Sequence, residues 1–364
     1  MLVALVLRLG IALFHVYIAP LPYSQRDALA FEQIGWNFAQ SLQEGLPIEL
    51  PTYGGFYSAF IGFIYYIFGR SSFLIQIINV FVGMLIVFNI YRIGSFLWGE
   101  RFGQRAAWIS TFFPTLILYA AIILRETFIL YFLTLSLYYL LKWHDKGEIK
   151  FFIFSSLLIL FGGILHNALT LGLLVHGYLI LKRWFKECIL RRHAKCCIRV
   201  TASGLLILVI VGGVLMTGVG LHQKFGNIST LDDIRNHQVH AARDRAIYLE
   251  NLSLTKPIDI IWQLPIRIIY FLFTPFPWMA SSLIDFIGIA DVTFYMVLII
   301  RAWKRHNNRF YARKVLPLTL MFLVLLVIFA MGCSNYGTAL RHRVKIVPML
   351  IIWAVAPLNK HRQP

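Results

Sequence analysis

The sequence predicts an all-α fold, a polytopic membrane helix bundle of about ten to twelve spans. Of its 364 residues, 59% are hydrophobic and only 14% are charged. Several windows stay nearly free of charge over the roughly 17–20 residues that a membrane-spanning helix needs. Helices of a soluble core would carry a polar stripe, and these windows carry none. The clearest windows are 74–90, 106–124, 127–141, 204–221, 316–331 and 344–358.

Three further segments need separate arguments, because each of them has more than one interpretation. Residues 1–19 have the length of a signal peptide, but Arg8 interrupts the apolar stretch and no small-x-small cleavage site precedes Pro20. We therefore expect a retained first span. Segment 52–68 is apolar and just long enough to cross, or it forms a re-entrant or interfacial helix. Segment 258–273 has the same ambiguity because proline and arginine interrupt it.

The net charge of +18 comes from Lys and Arg that fall in short loops between the apolar windows. This distribution follows the positive-inside rule and places those loops on the cytoplasmic side, against membrane lipids. We expect no nucleic-acid partner. The whole of 1–364 then forms a single integral membrane domain, with extracytoplasmic excursions at 20–52 and 221–257. Within the second excursion, residues 231–249 have the spacing of an amphipathic interfacial helix.

Asp27 is the first charged residue on the outward side. It follows the first span directly and precedes a segment, 28–42, with helical periodicity. One interpretation is that Asp27 caps this helix. The other is that its carboxylate takes a proton from an acceptor hydroxyl at the membrane surface.

Two minimal outward turns follow. Arg125 and Glu126 separate two apolar runs at a place where a simple turn would carry Gly, Asn, Asp or Ser. They either close the turn as an ion pair, or Arg125 binds a phosphate while Glu126 acts as a second acid or a metal ligand. His166 lies in the next such turn and is either a structural residue or a substrate contact.

The segment from Tyr336 to Lys345 carries four potential cations, including Arg341 and Arg343, on the predicted outward side. The charge rule expects few cations there, so orientation does not explain them. An anionic ligand would, because guanidinium groups suit bidentate phosphate binding. The alternative is a cluster that snorkels to the interface. If the segment is extended, both arginines can reach one phosphate, whereas on a helix they point in different directions.

Together these landmarks resemble the multi-spanning GT-C type glycosyltransferases, the superfamily of protein O-mannosyltransferases and lipid A aminoarabinose transferases. An acidic residue, Asp27, follows the first span, and Asn79 and Gly83 lie in a later one. Pro114 and Tyr119 then precede Arg125-Glu126, and residues 335–343 with Pro348 resemble the family's final outward loop.

The resemblance implies an enzyme that takes a sugar from a polyprenyl-phosphate donor on the extracytoplasmic face, in cell-surface glycan assembly. Asp27 matches the family's catalytic base and Glu126 its second acidic site. Arg341 and Arg343 match the loop that holds the phosphate, and Tyr336, Arg125 and His166 complete the predicted substrate contacts. The predicted location is a bacterial inner membrane, with the site facing the periplasm or exterior.

The sequence leaves several points open. The sugar is unspecified, and the acceptor is a glycan, a lipid or a protein. A cofactor is unspecified too, with a divalent cation as one candidate. A repeat-unit polymerase that uses a lipid diphosphate-linked glycan is an alternative enzyme. A lipid or glycan transporter is an alternative of another class, although a transporter would place charges at mid-depth in its spans, and here they cluster at span ends.

Overall fold

The computed structural model describes residues 1–22, 24, 26–51, 54–190, 201, 204, 248–249, 252, 257–280, 283–305 and 313–357. These residues form fourteen α-helices with short 3-10 and π-helical turns, and within them there is no strand. The all-α prediction is confirmed. The predicted span 204–221 and the amphipathic segment 231–249 lie outside the described residues apart from isolated positions.

The first seven helices follow one another with short connections. Their bounds are α1 Leu2–Tyr17, α2 Arg26–Gln43, α3 Phe56–Phe68, α4 Ser72–Trp98, α5 Glu100–Phe112, α6 Pro114–Ala121 and α7 Glu126–Lys146. The later helices are α8 Ile149–Leu165, α9 Leu173–Trp184, α10 Pro257–Phe273, α11 Leu283–Arg305, α12 Leu316–Gly332, α13 Tyr336–Arg343 and α14 Val347–Ala354. A 3-10 turn, Asn167–Gly172, connects α8 to α9.

Within the described part of the chain, two helical segments are long and apolar enough to cross a membrane, Ser72–Trp98 and Asp285–Arg305. Four more apolar helices are shorter, α1, α3, α8 and α12. Helix α3 has 13 residues, which gives a length of about 20 Å. The hydrocarbon core is roughly 30 Å thick, so this length favours the interfacial alternative for segment 52–68. The total of ten to twelve spans stays a prediction.

The chain divides into two compact units, Met1–Thr134 and Leu135–Pro364. In the first unit, α2 and α3 pack closely, with Gly35 and Gly62 at their contact. A Cβ on Gly62 would lie 2.7 Å from the carbonyl oxygen of Gly35. The close approach lets Tyr65 of α3 donate a hydrogen bond to Glu32 of α2 at 3.0 Å. Helices α2 and α3 therefore form a pair held by both packing and a polar contact.

The predicted apolar window 106–124 is not one helix. It is divided at Phe113, which is extended, and Pro114 begins α6. Proline lacks an N–H and disfavours the helical conformation in the residue before it. The last carbonyls of α5 therefore have no backbone N–H donor within the helix. The buried Arg8 of α1 donates to two of them, the carbonyls of Ser110 at 3.1 Å and Thr111 at 3.4 Å.

In the second unit, a buried hydrogen-bond network joins α7, α8 and α9. The hydroxyl oxygens of Ser136 and Ser155 lie 3.0 Å apart, and each hydroxyl also donates to the other residue's carbonyl. His176 Nε2 lies 2.8 Å from Ser155 Oγ, and the other ring nitrogen contacts the carbonyl of Gly172. His176 is fully buried and its hydrogen bonds are internal, so its role here is to hold these helices together.

Candidate active site

A buried amide of α4 holds the segment that leads into the Arg125–Glu126 turn. Asn79 is fully buried, and its Nδ2 donates to the carbonyl of Ile122 at 2.7 Å and to that of Leu124 at 3.4 Å. The same nitrogen lies 3.2 Å from the hydroxyl of Tyr57 on α3. The segment after α6 is extended, so its carbonyls need hydrogen-bond donors from elsewhere. Asn79 supplies them and fixes the turn.

Glu126 is the first residue of α7 and is only 1% exposed. The next residue, Thr127, donates its hydroxyl to the carbonyl of Tyr119 at 2.8 Å, which ties the start of α7 to α6. A carboxylate in the first turn of a helix is stabilised by the unpaired N–H groups and the helix dipole there. The fold therefore accommodates a buried acidic group at this position, whether its role is structural or chemical.

Asp27 lies in the first turn of α2, which begins at Arg26, so the prediction that Asp27 caps this helix is wrong. Phe31 follows one turn later on the same helix face, since residues four apart lie above one another. The guanidinium of Arg125 lies over the ring of Phe31, with Cζ 5.5 Å from the ring centroid. The α2 face that carries Asp27 therefore also carries the aromatic ring that contacts Arg125.

In the second unit, the side chains at the two ends of α13 form hydrogen bonds within the protein. Tyr336 is 5% exposed and donates its hydroxyl to Asp285 of α11 at 3.0 Å. Arg343 is fully buried, and its two terminal nitrogens donate to the carbonyls of Leu272 at 2.7 Å and Thr274 at 2.6 Å. The segment is a helix rather than an extended strand, and Arg343 neither snorkels nor points with Arg341.

Arg343→Lys should lower the free energy of unfolding by about 2–3 kcal/mol, because one ammonium cannot reproduce two guanidinium hydrogen bonds to separate carbonyls. Thermal unfolding of the purified protein, followed by intrinsic tryptophan fluorescence, measures the change. The matched control is Arg341→Lys on the half-buried Arg341, which should unfold like the wild type. Wild-type stability for Arg343→Lys together with weaker use of a lipid-phosphate donor would contradict the structural assignment.

Between these ends, α13 contributes to a cluster of cations and aromatic rings. The imidazole of His342 stacks on Phe329 with centroids 4.6 Å apart, and the ring of His166 lies 5.0 Å from it, edge to face. The fully buried Lys345 has its Nζ 2.9 Å from His342 Nδ1. His166 was predicted from sequence as a site residue, whereas His342 was not. The structure brings the two histidines together.

The seven predicted site residues fall in two units. Asp27, Arg125 and Glu126 belong to the first, and His166, Tyr336, Arg341 and Arg343 to the second. That both sets form one site stays a prediction. Within the described residues, no group of three or more His, Cys, Asp and Glu side chains could hold a metal ion. A divalent cation therefore has no preformed ligand cluster in that part of the chain.

Sequence analysis did not identify the ion pair that Arg70, just after α3, forms with Glu32 of α2. Arg70 donates to both carboxylate oxygens of Glu32, from Nε at 3.0 Å and Nη2 at 2.8 Å, and lies 5.3 Å from the ring centroid of Trp36. The hydrogen bond to Glu32 is the main cause that raises the pKa of Arg70 above its ordinary value. The only sequence signal was the position of Arg70 just before Ser71, the residue that caps α4.

Comparison with known families bears on the class of protein. Residues 55–215 match the family model described as dolichyl-phosphate-mannose-protein mannosyltransferase. The match confirms the resemblance to the GT-C type glycosyltransferases. It covers less than half of the chain, and it includes Asn79, Arg125, Glu126 and His166 but not Asp27. No curated protein and no solved structure matches the chain significantly.

The family match and the apolar helices together support an integral membrane protein of the GT-C glycosyltransferase class. The matched stretch begins at the α2–α3 connection and includes the whole α4–α7 region with its Arg125–Glu126 turn. The landmark residues that carried the resemblance, Asn79 and Pro114, are therefore also those that shape this turn. Asn79 binds its carbonyls, and Pro114 ends α5.

Proposed function

We propose that this GT-C type protein transfers a glycosyl group from a polyprenyl-phosphate donor to an acceptor on the extracytoplasmic face of a bacterial inner membrane. The observation that carries the proposal is the Arg125–Glu126 turn within the family match, where a buried carboxylate and a half-buried guanidinium lie at the start of α7. A cation at such a place suits the phosphate of the donor. The acceptor is a glycan, a lipid or a protein in cell-surface glycan assembly.

In this proposal Asp27 is the general base. Its carboxylate takes the proton of the acceptor hydroxyl as the acceptor oxygen bonds to the anomeric carbon of the sugar. The bond from that carbon to the donor phosphate oxygen breaks, and polyprenyl phosphate leaves as the anion. Arg125 stabilises the charge that develops on the leaving phosphate. The position of Asp27 supports this role, since Phe31, one turn along the same helix face, contacts Arg125.

Glu126 and the second unit have supporting roles in the proposal. Glu126 orients Arg125 or holds a proton as the second acidic group. Arg341 contributes positive charge for the lipid phosphate, and His166 and His342 contribute polar ring nitrogens. The contacts of Tyr336 and Arg343 favour a different role for these two, namely keeping α13 in place. Membrane lipids surround the apolar helices, and a nucleic-acid partner is not part of the proposal.

The test is a transfer assay with the purified, full-length protein in lipid nanodiscs. A panel of polyprenyl-phosphate sugars, hexoses and pentoses, is supplied with membrane extracts as the acceptor source, and release of polyprenyl phosphate is measured. We expect release that depends on the protein and on one member of the panel. Consumption of a lipid diphosphate-linked glycan instead would replace the proposal by the polymerase. Movement of an intact lipid-linked sugar across vesicles without release would replace it by a transporter.

A further inference from the structure

Helix α5 runs back along the end of α4, which is long and apolar enough to cross a membrane. Gly99 connects the two helices with a φ of 95°, a conformation that glycine adopts without strain. A Cβ on Gly94 would lie 3.0 Å from the Cα of Gly103, so the two backbones are in close contact beside this turn. With α4 across the membrane, the first turn of α5 lies at the membrane surface and its last turn lies deeper in the bilayer.

Helix α5 has one buried face and one exposed face. The buried face carries the small residues Gly103, Ala106 and Ser110, which lie on one side of the helix because they are three and four positions apart. The opposite face carries four large exposed side chains at the same spacing, and we call them the α5 stripe: Arg101, Arg105, Trp108 and Phe112. The stripe therefore has its two cations in the half of α5 nearer the membrane surface and its two aromatic rings in the deeper half.

The two arginines of the α5 stripe can bind an external anion. Among the described residues, neither guanidinium forms an ion pair or a hydrogen bond, and Arg105 lies over the ring of Phe102 with Cζ 5.5 Å from the centroid. Glu100, the acidic residue of α5, accepts a hydrogen bond from the hydroxyl of Tyr91 at 3.3 Å. Residues 91–105 contain three arginines and one acidic residue, so this end of the α4–α5 pair has an excess of positive charge.

Trp108 and Phe112 form the apolar end of the α5 stripe. Each ring is 55% exposed, and the two rings stack with centroids 5.9 Å apart and an angle of 8° between their planes. Lipid can cover this apolar surface, which would be unfavourable in water. Tryptophan is also enriched at the level of the lipid headgroups, because its ring is apolar while its Nε1–H is polar. The aromatic half of the stripe is therefore suited to the region just below the headgroups.

The order of groups along the α5 stripe matches the order of groups in a phospholipid. Arg101 and Phe112 are separated by about 16 Å along the helix. The headgroup region is roughly 5–8 Å thick on each side of the hydrocarbon core, so the stripe extends from the phosphates into the acyl chains. Guanidinium groups suit bidentate binding of a phosphate. A zwitterionic headgroup also carries a cation, which the arginines repel, so a headgroup with net negative charge is favoured.

We propose that the α5 stripe is a binding site for an anionic phospholipid in the leaflet where α4 turns into α5. Its two arginines bind the lipid phosphate, and Trp108 and Phe112 pack along the glycerol backbone and the upper acyl chain. The charge distribution predicts that this leaflet is the cytoplasmic one. The site therefore lies on the face opposite the proposed transfer reaction, and lipid binding requires no transfer activity.

Fluorescence quenching by brominated lipids tests the site. The full chain is placed in nanodiscs of phosphatidylglycerol and phosphatidylcholine at one fixed ratio, with bromine on the acyl chains of either the first lipid or the second. The chain has 9 tryptophans, so the emission of Trp108 is obtained by subtracting the spectrum of Trp108→Phe. Each basic residue at an anionic membrane surface contributes roughly fivefold in affinity. Brominated phosphatidylglycerol should therefore quench Trp108 several times more strongly, per mole, than brominated phosphatidylcholine.

The variant that tests the charge contacts is Arg101→Gln combined with Arg105→Gln. It should abolish the preference for phosphatidylglycerol and leave thermal unfolding unchanged, because both side chains are exposed. The matched control is Arg301→Gln combined with Lys304→Gln. It removes the same charge from exposed positions near the end of α11, away from the α5 stripe, and should keep the preference.

Several results would overturn the proposal. Equal quenching by the two lipids in the wild type would show that the stripe does not select a headgroup. A preference that survives the loss of both α5 arginines would place the selectivity elsewhere. An equal loss of preference in the control variant would assign it to the net charge of the protein. Emission from Trp108 that neither lipid quenches would show that something other than lipid covers the stripe.

Discussion

Asp27→Asn should lower the rate of glycosyl transfer about 10²–10⁴-fold, the usual contribution of a general base. Asparagine keeps the size of the side chain and one acceptor oxygen but cannot take the acceptor's proton. Asp27 lies in the first turn of α2 and not at its cap, where a carboxylate gains a modest stabilisation from the helix N-terminus. The variant should therefore reach the membrane and unfold like the wild type.

The measurement is turnover of the purified variant with the donor found in the panel assay. Asp145→Asn provides the matched control, because Asp145 is exposed near the end of α7 and has no proposed part in transfer. Normal turnover by Asp27→Asn would remove the base assignment and leave Asp27 with a helix-dipole role only.

Asn79→Leu should reduce kcat about 100-fold, although Asn79 touches no substrate in the proposed mechanism. Its amide holds the carbonyls of Ile122 and Leu124, and without it the Arg125–Glu126 turn loses its fixed position. A displacement of about 1 Å in a catalytic group can cost roughly 10²-fold in rate. Donor KM should change much less, because Asn79 makes no contact with the donor in the proposed mechanism.

Asn89→Leu is the control for Asn79→Leu. Asn89 is also buried on α4, and its Nδ2 donates a hydrogen bond to Thr134 Oγ1 at 3.2 Å. Both variants lose buried hydrogen bonds and should lose some stability, but only Asn79→Leu should lose kcat per folded molecule. Equal kcat in the two variants would mean that the turn does not depend on Asn79.

Composition and hydrophobic pattern were sufficient to predict the helical class, because apolar runs of this length leave few alternatives. They also predicted α2 closely, with residues 28–42 expected and Arg26–Gln43 found. The window 106–124 was read as one span because average hydropathy does not register a break. Pro114 divides it, and the division creates the extended segment on which the Arg125–Glu126 turn depends.

The candidate site was less predictable, because a guanidinium group can bind either a ligand's phosphate or the protein's own backbone carbonyls. Arg341 and Arg343 look alike in sequence. Arg343, however, donates its hydrogen bonds to backbone carbonyls, and only the tertiary structure reveals these contacts. The role of Asn79 was hidden for a related reason. A polar residue in an apolar helix signals a partner, but the sequence does not say that the partners of Asn79 are the carbonyls of Ile122 and Leu124.

The contact between Arg8 and the end of α5 also constrains how the protein is made. Arg8 and Ser110 are 102 positions apart, and ribosomes add roughly 5–20 residues per second. The first helix therefore emerges roughly 5–20 s before its carbonyl partners exist. An arginine at the centre of a lone helix in lipid costs about 2.5–3.5 kcal/mol on insertion scales. We therefore expect the final placement of α1 to follow the synthesis of α5, whose carbonyls accept from Arg8.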